Sequence, residues 1–122
     1  VAARGKEEAV AYNEGLAQRI REAFGDLHSG AEGLVEKQMF GGIGFMVLGN
    51  MACGVNKEDL IIRVGPASYE KALDEPYTRP FDLTGRPMKG WVVVTGAGYQ
   101  SEADLQRWVK TGVEFALSLP PK

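Results

Sequence analysis

The sequence predicts an α+β domain built in two layers, with helices packed on an antiparallel sheet. Strand-like runs fall in groups rather than alternating regularly with helices, and each end of the chain carries a segment with apolar residues every three or four positions. A third observation places the middle of the sheet. Met39 to Val55 (MFGGIGFMVLGNMACGV) is apolar, lacks charged residues and holds five glycines. A doubly wound nucleotide fold is disfavoured, because it needs repeated parallel crossovers.

The first helix is expected over Glu7 to Phe24, where Ala9, Tyr12, Leu16, Ile20, Ala23 and Phe24 share one face. Glu7 and Glu8 open it, Arg19 and Arg21 lie near its end, and Gly25 is placed to stop it. Asp26 to Gly33 reads as a polar loop. A strand begins at Leu34, is bent by Gly41-Gly42, and resumes from Ile43 to Leu48. Gly49-Asn50 signals a hairpin. Met51 to Asn56 returns, Lys57-Glu58-Asp59 turns, and Leu60 to Val64 (LIIRV) follows. Pro66 suits the first position of a helix over Ala67 to Leu73, which Pro76 ends. A short edge strand at Phe81 to Leu83 and a strong strand at Trp91 to Thr95 come next. Gly96 to Gly98 reads as a turn, with Tyr99 exposed after it. Ser101 and Asp104 form a capping box for a last helix with Leu105, Trp108, Val109, Gly112, Val113 and Ala116 inward. The predicted order is α-β-β-β-α-β-β-α around a five-stranded antiparallel sheet.

At 122 residues the chain makes one domain, residues 1–122. Sixteen glycines are nearly twice the usual share of about 7%, and without low-complexity runs they imply turns and bulges. A net charge of −2 and a pI near 5.4 argue against a dedicated nucleic-acid binder. One Cys and one His exclude a disulfide framework and a Cys/His zinc site within one chain. No cofactor is implied. The apolar runs fall far below the ~20 residues of a membrane helix, and the start at Val1 carries no leader-like pattern. A cytoplasmic setting is expected.

The segments VEKQMFGGIGFMVLGNMACGV, LIIRVGP, FDLTGRPMKGWVVV and LQRWV…FALSLPPK resemble the TfoX/Sxy N-terminal domain family over Tyr12 to Lys122. The resemblance implies an antiparallel fold related to that of secretion chaperones, which dimerise. It also implies a regulatory role, since larger, two-domain members regulate competence genes. This sequence ends at Lys122, where those members continue into a C-terminal helical domain, so a stand-alone, single-domain member is expected. The resemblance supplies no catalytic residues.

Gly41, Gly42 and Gly44 match neither phosphate-binding spacing, G-x-x-x-x-G-K-[ST] or G-x-G-x-x-G, and read as a structural kink. Cys53, mid-strand without a cationic neighbour, reads as a buried small side chain. His28 reads as an exposed loop residue, and Trp91 and Trp108 as core or interface. Arg63 interrupts an apolar strand, and Arg79, Arg86 and Lys89 follow with Asp82 the only acid from Thr78 to Gly90. If these four cations converge they make a small anion-attracting patch. No nucleophile, base and orienting acid can be ordered around a single His. The first expectation is therefore a non-enzymatic protein-interaction or regulatory module, a homodimer or adaptor. The second is a binding domain or simple enzyme for a small anionic ligand using Arg63 and the Arg79/Arg86/Lys89 patch.

Overall fold

The computed structural model describes residues 12–27, 34–39, 41–82 and 85–122. The elements are α1 (Glu14–Leu27), β1 (Leu34–Met39), β2 (Gly42–Val47), β3 (Asn50–Asn56), β4 (Asp59–Arg63), α2 (Tyr69–Leu73), β5 (Thr78–Asp82), β6 (Pro87–Val94), α3 (Gly96–Tyr99) and α4 (Glu102–Leu117). One antiparallel sheet runs β1-β2-β3-β4-β6-β5. Helices α1 and α4 cover one of its faces.

The sheet has six strands where the sequence predicts five. Gly41 is the cause. At φ +76° it sits in a left-handed turn, and Met39 pairs with Gly42, so the chain reverses where a bend was expected. The long strand from Leu34 to Leu48 becomes a hairpin, and Gly42 and Gly44 lie inside β2. The next hairpin also shifts by one residue. Val47 pairs with Asn50, so Leu48 (φ 51°) and Gly49 (φ 87°) form the turn, both in the positive region that a type I′ turn requires. Asn50 moves into β3 and is buried, its side-chain amide donating to the Pro120 carbonyl at 3.0 Å.

The first helix starts later than its apolar spacing suggests. The Asn13 side chain accepts from the Leu16 amide at 2.9 Å, capping a helix that opens at Glu14. Residues 7–9 lie outside the described residues. Gly25 does not stop the helix, which continues to Leu27. Leu16, Ile20, Ala23 and Phe24 do share the buried face, and Phe24 stacks on Phe45 of β2 at 5.9 Å between ring centres.

Pro66 opens a 3-10 turn, Pro66–Ser68, that leads into α2. Gly96 to Tyr99 is a short helix rather than a turn. Tyr99 is buried, and its hydroxyl donates to the Glu58 carbonyl. Burial, followed by the charges of Glu58 and Asp59, raises its pKa, against a lowering contribution from Arg19. The last helix forms as its pattern dictates. Ser101 Oγ accepts from the Asp104 amide, and Leu105, Trp108, Val109, Gly112, Val113 and Ala116 are all buried.

The core side of the sheet follows from register. Phe45, Cys53, Ile62 and Val92 stand opposite one another across β2, β3, β4 and β6, each fully buried beneath the helices. Each large side chain in such a row contributes roughly 1.5–3 kcal/mol by leaving water. Cys53 is held in this row, and desolvation raises its thiol pKa far above the ordinary value.

Candidate functional site: the sheet face away from α1 and α4

Shifting by one residue turns every side chain to the other face. The neighbouring row therefore lies on the side that α1 and α4 do not cover. It runs Lys37, Gly44, Gly54, Ile61, Val93 and Arg79, one residue from each strand in spatial order. Two of the six positions are glycine, side by side on β2 and β3. Without side chains they form a low floor, and beside them Ile61 and Val93 rise from β4 and β6. Ile61 and Val93 are only 5% and 2% exposed, although neither belongs to the helix-side core.

Beside this row, over Ile61, lies an apolar trough of about 250 Å³, walled by Met51, Ile61, Phe81, Met88 and Trp91. Met51 reaches it through a bulge between β2 and β3, and its terminal methyl lies over Gly54, 2.9 Å from where a Cβ would stand. Phe81 packs tilted against Trp91 at 6.2 Å. The Val35–Met46–Met51 row continues the apolar surface toward edge strand β1, where Val35 is exposed. Met46, Met51 and Met88 thus belong to this face. Unbranched thioether side chains suit a surface that adapts to what it contacts.

A second, polar hollow of about 190 Å³ adjoins the trough, with Lys57, Asp59, Arg79 and Asp82 among its lining and Ile61 and Phe81 shared. Arg79 pairs with Asp59 at 2.8 Å. Those two residues stand on strands that flank β6, so the ion pair spans it and covers Val93. Arg79 is therefore already neutralised. Arg63 is held differently. Its guanidinium carbon lies 5.1 Å from the centre of the Trp91 ring and 5.3 Å from that of Phe115, a cation between two aromatic faces. Arg63 and Trp91 are register partners.

The four cations singled out by sequence thus occupy separate settings. Arg63 sits between rings, Arg79 sits on Asp59, Arg86 and Lys89 are exposed, and of the four only Arg79 lines either hollow. His28 lies outside the described residues. Sequence reasoning missed the trough itself. Its walls Met51, Ile61 and Trp91 lie on β3, β4 and β6, and only the pairing of those strands brings them together.

Fold and site together define a small antiparallel α+β domain with helices on one side and an apolar hollow on the other. The TfoX N-terminal domain model matches residues 26–116, about three quarters of the chain, and the chain belongs to that family. No curated protein and no solved structure matches it. No helix among the described residues is long and apolar enough to cross a membrane.

Proposed function

We propose that this chain is a non-enzymatic regulatory module that acts in the cytoplasm by binding another protein, a second copy of itself included. The contact surface is the sheet face that carries no helix among the described residues. The observation that carries this reading is the apolar trough flanked by Met51, Phe81, Met88 and Trp91, the methionine and aromatic composition typical of adaptable recognition surfaces. Membership in the TfoX N-terminal domain family supports the regulatory character. The secretion-chaperone likeness and dimerisation that the resemblance implies fit the same surface, since two such faces would bury each other's apolar rows.

Site-specific photo-crosslinking tests the reading. A photoreactive residue is placed at Val35, exposed on the trough side, and separately at Lys110, exposed on α4. The expected result is one discrete product from Val35, absent from Lys110, whose partner then binds the purified chain and loses that binding when Phe81 is replaced by Glu. Equal products from both positions, or none from Val35, contradict it.

One observation favours the second reading, a binding domain for a small anion. Arg63 presents a guanidinium fixed by two rings, with no carboxylate paired to it among the described residues.

A further inference from the structure

We infer that the trough is a binding site for a small amphipathic monocarboxylic acid, with the apolar body over Ile61 and the carboxylate at Arg63. The inference stands on the Trp91–Arg63 geometry and does not require a protein partner.

Trp91 belongs to both halves of the site. Trp91 walls the trough, and its ring centre lies 5.1 Å from the Arg63 guanidinium carbon. Arg63 follows Ile61 by two residues along β4; it stands outside the trough's lining, and its guanidinium reaches from Trp91, a wall of the trough, to Phe115 of α4. Volume admits a ring with a short alkyl linker. An apolar cavity of roughly 150 Å³ holds benzene, and about 250 Å³ leaves room for the connecting methylenes.

Charge selects a monoanion. The cations of the Ile61 row are Lys37, three strands away at the sheet edge, and Arg79, already paired with Asp59. Arg63 contacts a wall of the trough and pairs with no carboxylate among the described residues. Its planar fork accepts a carboxylate through two parallel hydrogen bonds. A phosphate dianion would be left half neutralised beside apolar walls. The stacking of Arg63 on Trp91 and Phe115 limits its rotamers before any ligand arrives, which reduces the ordering cost of binding.

The test titrates the full chain, labelled with ¹³C at Ile and Met methyl groups, with 3-phenylpropionate and with its neutral amide. The expected result is saturable shifts at Ile61, Met51 and Met88, with the acid binding roughly tenfold or more tightly than the amide. In Arg63→Gln the two should bind alike. In Arg79→Gln the preference for the acid should persist, because Asp59 already satisfies that arginine. Should Arg63→Gln not fold, the wild-type chain still decides: acid affinity should fall to the amide level as pH drops below the acid's own pKa. Equal affinities at neutral pH, absence of saturable shifts, or shifts confined to the helix layer overturn the inference. A crosslink from Val35 that survives such a result would leave the protein-binding reading standing, so the two fail separately.

Discussion

Replacing Gly112 with alanine probes how closely the helix layer sits on the sheet. At Gly112 a Cβ would stand 2.3 Å from the Ala52 carbonyl oxygen and 3.1 Å from its carbon. Both are backbone atoms of β3, so ordinary contact is restored only if α4 lifts by about 1 Å. That movement loosens Leu105, Trp108, Val109 and Val113, which α4 buries against the sheet. Overpacking of this kind costs roughly 1–3 kcal/mol. Against it stands the helix propensity of Ala over Gly, which returns about 1 kcal/mol. The expected net loss is about 1 kcal/mol, or roughly 3–6 °C in Tm for a domain of this size. Gly25 is the matched control: it lies within α1, is exposed, and has nothing within 4 Å of its would-be Cβ. Gly25→Ala should therefore stabilise by up to about 1 kcal/mol. Urea and thermal unfolding followed by circular dichroism, at one protein concentration, measure both. A Gly112→Ala chain at least as stable as the wild type, with an unchanged denaturant slope, would refute the close approach.

Three other outcomes follow from the same contacts. Burial raises the Cys53 pKa above its ordinary 9.0, so the unfolded thiol ionises first. Its contribution to stability is fully present below about pH 9 and is lost as pH rises toward the folded value, by at most about 1.4 kcal/mol per pH unit. Cys53→Ala should flatten that alkaline slope in denaturation curves taken between about pH 9 and 10.5. Tyr99→Phe removes the hydroxyl that donates to the Glu58 carbonyl and should cost about 1–2 kcal/mol. Faster amide exchange around the Lys57-Glu58 turn would accompany it; unchanged stability and exchange would show that the bond contributes nothing. Leu48→Asn places a residue that tolerates positive φ at φ 51° and should raise stability by about 0.5–1 kcal/mol in the same unfolding assay.

What could be read without the structure was mostly local. The pattern of α4 fixed its inward face because an amphipathic helix carries that information within four turns, and the Ser101 cap marked its start. Pro66 marked the entry to α2 in the same way. The misses depend on partners distant in sequence. Tyr99 looked exposed because the carbonyl that buries it belongs to Glu58, 41 residues earlier. Gly25 carried a stop signal, but its helix continues to Leu27. Gly41 looked like a bend because an isolated strand does not show whether its continuation pairs back on itself. Arg79 is not a free member of the expected cationic patch because Asp59, 20 residues away, claims it across β6. The trough exists only through register, since its walls Met51, Ile61 and Trp91 belong to three strands.

The most direct test of the account compares the two faces of the sheet in one sample. Once the Val35 crosslink has supplied a partner, ¹³C-methyl spectra of the Met- and Ala-labelled chain are recorded with and without it. Met51 and Met88, which wall the trough, should shift or broaden on binding, while Ala23 and Ala116 in the helix layer stay in place. Movement of the helix-layer alanines with Met51 and Met88 undisturbed would contradict the assignment of the face away from α1 and α4 as the working surface.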